Sequence, residues 1–188
     1  IKASKHDANT VYAVFNNHKN GDFKPYILKS INGGNSWTSI SNNLPERGSV
    51  YAIEEDHVNK DLLFAGTEFG AFFSNDGCKK WTKLGEGLPT IAVRDMAIQE
   101  RENDLVLATF GRSFYVLDDY SPLRTLNTDL LAKEAHILPV KDALLYGESN
   151  RVGVRGIGQW CESFLTAANQ RVGAVFPYSI DGTITSKN

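Results

Sequence analysis

Six ionisable residues, Glu46, Arg47, Glu68, Arg94, Asp95 and Arg112, fall in segments that read as loops or strand starts, and Glu68 and Asp95 are acids of the kind glycoside hydrolysis uses. That reaction needs two carboxyl groups about 5 to 10 Å apart, one to protonate the leaving oxygen and one to attack or to activate water. For each residue taken singly, solvation or pairing with a neighbouring arginine is the weightier reading. Glu54-Glu55-Asp56-His57 resembles a metal cluster in composition only, because adjacent strand residues point to opposite faces and at most alternate members share an ion. A solvated sheet rim is the expectation there. His6, His18 and His136 lie far apart, so no metal site is expected. No phosphate-cradling glycine loop, Ser-His-Asp triad or nucleotide fold is present, so no cofactor is expected.

The elements that must position these residues come from a repeat. Ser30-Ile31-Asn32-Gly33-Gly34-Asn35-Ser36-Trp37-Thr38 recurs 44 residues on as Ser74-Asn75-Asp76-Gly77-Cys78-Lys79-Lys80-Trp81-Thr82. Leu44-Pro45 recurs at the same shift as Leu88-Pro89, and Asn59 as Asn103. A period of about 40 to 45 residues signals four-stranded propeller blades. Runs rich in β-branched, aromatic or aliphatic residues repeat between these anchors: Val11 to Val14, Leu62 to Ala65 and Leu105 to Ala108, then Tyr26 to Leu28, Ala71 to Phe73 and Phe114 to Leu117. Val50 to Ile53 and Arg94 to Ile98 read as innermost strands, with Ile1 to Ser4 a remnant of a third.

The expected fold is therefore all-β: a partial β-propeller with blades at 1–40, 44–84 and 88–120, the last lacking an outer strand. Three blades cannot close a ring that needs four to eight. Residues 121–145 read as an exit linker with a helical candidate at Leu126 to Ala135, and 146–188 as an incomplete C-terminal β segment. In that tail Ala174 to Phe176 and Tyr178 to Ile180 flank Pro177, and Asp181-Gly182 is a type I′ hairpin signal, so the tail reads as the start of a small β-sandwich.

Composition narrows the partners. The 188 residues carry a formal charge of -2 with no block of like charge, which removes the electrostatic case for nucleic acid or an anionic membrane. No apolar run approaches the roughly 20 residues of a membrane-spanning helix. Cys78 and Cys161 are too few for a metal pair or a disulfide framework and read as free, buried thiols. A start at Ile1 without signal pattern reads as a processed or excised fragment.

The repeated turn follows the pattern Ser-x-Asp-x-Gly-x-x-Trp. A short Asx side chain bonds amides within its own turn, glycine permits positive φ, and the Trp packs back on the hairpin. The first copy has Asn32 for Asp and keeps Gly34; the second keeps Asp76 and has Cys78 for Gly. Here the chain resembles the Asp-box propeller superfamily of sialidases, sortilin-type sorting receptors and xyloglucan-cleaving glycosidases. Three stretches, Gly48 to His57, Phe64 to Gly70 and Thr109 to Asp119, are similar to the C-terminal propeller blades of large secreted bacterial proteins labelled sortilin-like or glycosyl hydrolase. Asn169 to Ala174 keeps the Asn, Gly and Ala of a downstream family motif and loses its two prolines.

The resemblance implies that Ser30, Asn32, Gly34, Trp37, Ser74, Asp76 and Trp81 are structural, at the propeller periphery. Binding then falls to the loops at the other end, with Glu46, Arg47, Phe69, Arg94, Phe110 and Arg112 as ligand candidates and Glu68 and Asp95 as weak catalytic ones. Tyr26, Trp37, Phe72, Phe73, Trp81, Phe114 and Tyr115 read as packing between blades, whereas Tyr12, Phe15, Phe23 and Trp160 are less constrained. The implied function is a secreted or cell-surface bacterial module that binds a glycan or polypeptide and packs against the remaining blades of a larger parent. The alternatives are a xyloglucanase-like hydrolase whose catalytic acids lie mostly outside this stretch, and closing blades with a purely structural role.

Overall fold

In the computed structural model, which describes residues 1–85, 87–143 and 173–180, the strand-forming runs become antiparallel sheets laid down in chain order. The first sheet holds β1 (Lys2–Ala3), β2 (Val11–Asn17), β3 (Asp22–Ser30) and β4 (Thr38–Ser39). The second holds β5 (Val50–Glu55), β6 (Leu63–Thr67), β7 (Gly70–Ser74) and β8 (Thr82–Lys83), in the same meander order. The third holds, among the described residues, β9 (Val93–Gln99), β10 (Asp104–Thr109) and β11 (Phe114–Leu117). The chain is all-β, a partial β-propeller.

The period-2 alternation of a strand explains why every residue of β6 is buried. Leu63 and Ala65 join the cluster with Tyr12, Ile27, Phe72 and Trp81 against the first sheet. Phe64, on the opposite face, joins Val93, Met96, Leu105 and Tyr120 against the third. Gly66 shares that face because a Cβ there would lie 2.9 Å from the Val93 carbonyl oxygen, so the two sheets touch through backbone. Matching bulges mark the innermost strands: Tyr51 is the extra residue between Val50 and Ala52 of β5, and Arg94 between Val93 and Asp95 of β9.

The two repeated turns have the same internal bonding. Ser30 Oγ donates to Asn32 Oδ1 at 2.9 Å, and that oxygen also accepts the Ser36 N–H at 2.9 Å. Ser74 Oγ donates to Asp76 Oδ1 at 2.8 Å, which accepts the Lys79 and Lys80 N–H groups at 2.9 and 3.0 Å. Cys78 takes the left-handed conformation of Gly34, at φ 72° against 91°, and its buried thiol is free, with its pKa pushed up to about 12 by burial. Cys161, and with it any bridge between the two, lies outside the described residues.

Trp81 is 3% exposed and donates Nε1–H to the Ile40 carbonyl at 2.8 Å, wedged between the first two sheets. Trp37 is 39% exposed, with no second sheet among the described residues packed on it as the first is on Trp81. Phe114, read as packing, is 69% exposed for the mirror-image reason: nothing among the described residues covers that face of the third sheet. Tyr12, read as loosely constrained, is fully buried and donates its hydroxyl to Glu55 Oε1 at 2.8 Å.

The expected solvated rim at 54–57 is corrected as well: Glu54, Glu55 and Asp56 are 7%, 5% and 0% exposed. The N-terminal residues meet Glu54 and Glu55, and the segment after β11 meets Asp56. Glu54 pairs with Lys2. Glu55 turns to the first sheet, where it accepts the Ser4 hydroxyl at 2.8 Å and the Lys5 N–H at 2.6 Å in addition to Tyr12. Asp56 turns to the segment that follows β11, a 3-10 turn over Ser121–Arg124 with Pro122 in its first turn. There Arg124 grips it twice, Nε to Oδ2 and Nη2 to Oδ1 at 2.7 Å each, and the Tyr120 hydroxyl donates to Oδ1 at 2.6 Å. Burial would push the Asp56 carboxyl up, but these donors and the Asn59 N–H more than offset it and hold the pKa at about 2.

The chain divides into two units, Ile1–Leu130 and Leu131–Asn188. The expected helix at 126–135 is a single turn, α1 (Thr128–Leu131). In the second unit β12 (Ala135–Ile137) pairs with β13 (Tyr178–Ile180), so residues 178–180 find their described partner far back in the chain; Ala174 to Phe176 is not strand, and the Asp181-Gly182 turn lies outside the described residues. No described helix is long and apolar enough to cross a membrane.

Candidate binding face

Antiparallel meanders sort the loops by end. Links between sheets and turns joining the second and third strands of each sheet emerge together, opposite the Ser-x-Asx turns and the Asp56 corner. This loop end is stitched by main-chain bonds: Gly48 N–H to the Phe23 carbonyl at 2.8 Å, Glu68 N–H to Ser49 at 3.0 Å and Phe110 N–H to Ala92 at 2.9 Å. Ser49 is fully buried, and its Oγ has no hydrogen-bond partner among the described residues. Gly48, at φ 134°, lets the Phe69 ring lie on the backbone, since a Cβ there would stand 3.2 Å from the ring.

Arginines and aromatic rings alternate on this framework. Arg47 lies over Phe23, its guanidinium carbon 5.2 Å from the ring centroid. Arg94 lies 4.0 Å from the Tyr51 centroid and 5.2 Å from that of Phe110, joining the second and third sheets. The two bulges produce this stack, because each turns its extra residue, Tyr51 and Arg94, out of the regular ladder. Phe69 and Phe110 are 43% and 69% exposed, so one ring of the stack stays open to a ligand. Glu46 and Arg112 are exposed on the same loops.

Of the sequence candidates, the structure joins Arg94 with Phe110 directly, and adds Phe23 and Tyr51, which the motif argument had not placed in the site. Tyr51 was legible only through its position 43 residues before Arg94. Phe69 and Phe110 are not equivalent: the β6–β7 turn has two residues between Thr67 and Gly70, whereas Phe110 directly follows Thr109, the counterpart of Thr67. Glu68 and Asp95 are not brought into a hydrogen bond. Asp95 pairs in register with Ala108, on the face of the third sheet turned away from the second, and its Oδ1 accepts the Met96 N–H at 2.9 Å. Among the described residues no three His, Cys, Asp or Glu side chains converge on one point.

Sheets meandering in sequence order and stacked face to face define the class as β-propeller. The architecture is shared with a known structure: the crystal structure of the GH74 enzyme of Niastella koreensis superposes with a TM-score of 0.50 at 20% identity, over 60% of this chain and 20% of that one. YCF48 bound to D1 peptide superposes with a TM-score of 0.39 at 18% identity, over 51% of this chain and 31% of that one. The chain thus spans a fifth to a third of the length of these neighbours. No protein-family profile and no curated protein sequence matches it.

Proposed function

We propose that this chain is the Asp-box part of a secreted or cell-surface bacterial β-propeller, with blades over 1–40, 44–84 and 88–120, and that its loop end binds a glycan or a polypeptide. One observation carries the reading: Arg94 is held between Tyr51 and Phe110 with the Phe110 ring largely exposed. An aromatic face accepts a sugar ring or an apolar side chain, and an oriented guanidinium accepts a carboxylate or carbonyl beside it. Arg47, Phe69 and Arg112 extend the surface, with Glu46 at its margin. The Ser-x-Asx turns serve as scaffold, in keeping with their internally satisfied hydrogen bonds. Hydrolysis by Glu68 and Asp95 draws no comparable support.

Glycan and peptide arrays probed with the full chain test this. The expected result is a bound class whose affinity falls about ten-fold or more in Arg94→Ala and Phe110→Ala at unchanged fold. Equal binding by the variants, or release of reducing sugar from the bound glycan, overturns it.

A further inference from the structure

The loop end carries its positive charge unpaired. Arg47, Arg94 and Arg112 are exposed there, and among the described residues none of the three forms an ion pair, although Glu46, Glu68 and Asp95 belong to the same loops and strand starts. The hairpin joining β2 and β3 adds no free carboxylate. Register sets its Phe15–Tyr26 pair where Thr67 and Gly70 close the β6–β7 turn, so residues 16–25 form an arm that carries the first sheet past the end of the second. The one acid of this arm, Asp22, accepts the Tyr26 hydroxyl at 2.6 Å and the Lys24 N–H at 3.1 Å.

The arm also brings another ring to the row. Phe23 lies under Arg47, its carbonyl accepts the Gly48 N–H, and Gly48 lies against the Phe69 ring. Tyr51, Arg94 and Phe110 continue the row over the second and third sheets. The two stacked guanidinia thus stand on rings of neighbouring sheets, which pack about 10 Å apart. A guanidinium only donates hydrogen bonds, and with its face on a ring its N–H edge is what a ligand meets. Such a row takes carboxylates at about that spacing, with apolar groups on the exposed Phe69 and Phe110 rings.

Resting on the loop end as the binding face, we propose that its ligand is an acidic polypeptide segment in an extended, polyproline-II-like form, with carboxylates at positions i and i+3. That conformation has three residues per turn and rises about 3.1 Å per residue, so side chains three apart share one side about 9 Å apart. A sugar chain suits the row less well. Its hydroxyls need acceptors as well as donors, and the exposed members of the row, arginine and phenylalanine, offer no side-chain acceptor.

The probe is the blocked peptide acetyl-Glu-Leu-Pro-Glu-Leu-Pro-amide, which has no charged terminus, titrated into the full chain by calorimetry. Saturable binding is expected, and the peptide with both Glu replaced by Gln should bind about ten-fold or more weakly. Arg47→Ala should weaken binding of the Glu peptide about ten-fold and of the Gln peptide less than about two-fold, the coupling that a double-mutant cycle isolates. Equal binding of the two peptides, an Arg47→Ala variant that keeps the parent's affinity, or no binding at ~1 mM peptide overturns the proposal. Oligogalacturonate is the acidic-glycan control: its capture in place of the peptide, lost in Arg94→Ala and Phe110→Ala, overturns the polypeptide assignment and leaves the binding face standing. Capture of either probe that neither variant weakens removes the face itself, and the proposal with it.

Discussion

The two ends of the stacked sheets both carry charge, and they use it in opposite ways. At the turn end, Glu55 and Asp56 are buried and bonded by hydroxyl, amide and guanidinium groups drawn from the chain before the first full strand and after the last. At the loop end, Arg47, Arg94 and Arg112 are exposed, and what orders the first two is an aromatic ring rather than a carboxylate. Residue type alone therefore does not separate scaffold from site; the partner and the water left around each group do. A run of three acids that reads as a solvated rim in sequence is buried and paired, while the single arginine of a strand bulge is exposed.

Breaking the buried end should produce the largest effect. Asp56→Ala leaves Arg124 inside the protein without its counter-ion, and a broken buried pair costs about 3 to 5 kcal/mol. Urea unfolding measures this, and a loss below about 1 kcal/mol would show that the corner is solvated after all. Trp81→Ala should cost about as much, roughly 3 to 5 kcal/mol for a buried aromatic, whereas Trp37→Ala should cost about 1. Equal costs at the two turns would mean that the turn itself, and not the sheet in front of it, makes the Trp contribution.

Acid probes the same corner without a mutation. The Asp56 carboxyl drops from an ordinary 3.8 to about 2 on folding, so its contribution is complete above about pH 4 and is lost as pH falls through 2. The shift corresponds to about 2 kcal/mol. Stability measured from pH 5 to 2 should show that slope, and Asp56→Asn should flatten it.

Much of the propeller was legible because its signals are local. A strand shows as a run of apolar or β-branched residues, and the Ser-to-Trp turns show as spaced anchors 44 residues apart. Burial at the corner was not legible, since it depends on Ser4, Tyr120 and Arg124 arriving from about 50 or more residues away. Period-2 logic did set Glu55 and Asp56 on opposite faces, but it could not say that both faces would be covered. The same gap explains Trp37 and Phe114: a strand reading assigns them to packing, and only the stack order shows that no described sheet covers their sides. Bulges escaped for a related reason, because Tyr51 and Arg94 look like ordinary strand residues until the ladder is drawn.

The smallest effect on stability sharpens the comparison most. Arg94→Ala removes an exposed cation from two aromatic faces, a contact of about 0.5 to 1 kcal/mol, and leaves no buried charge behind. Unfolding should therefore shift by less than about 1 kcal/mol, while ligand capture at the loop end falls about ten-fold. Arg94→Lys separates charge from shape, because an ammonium keeps the charge and loses the planar fork that stacks between Tyr51 and Phe110. If lysine restores capture, the loop end recognises charge alone; if it fails as alanine does, the bulge exists to hold a flat guanidinium against a flat ligand.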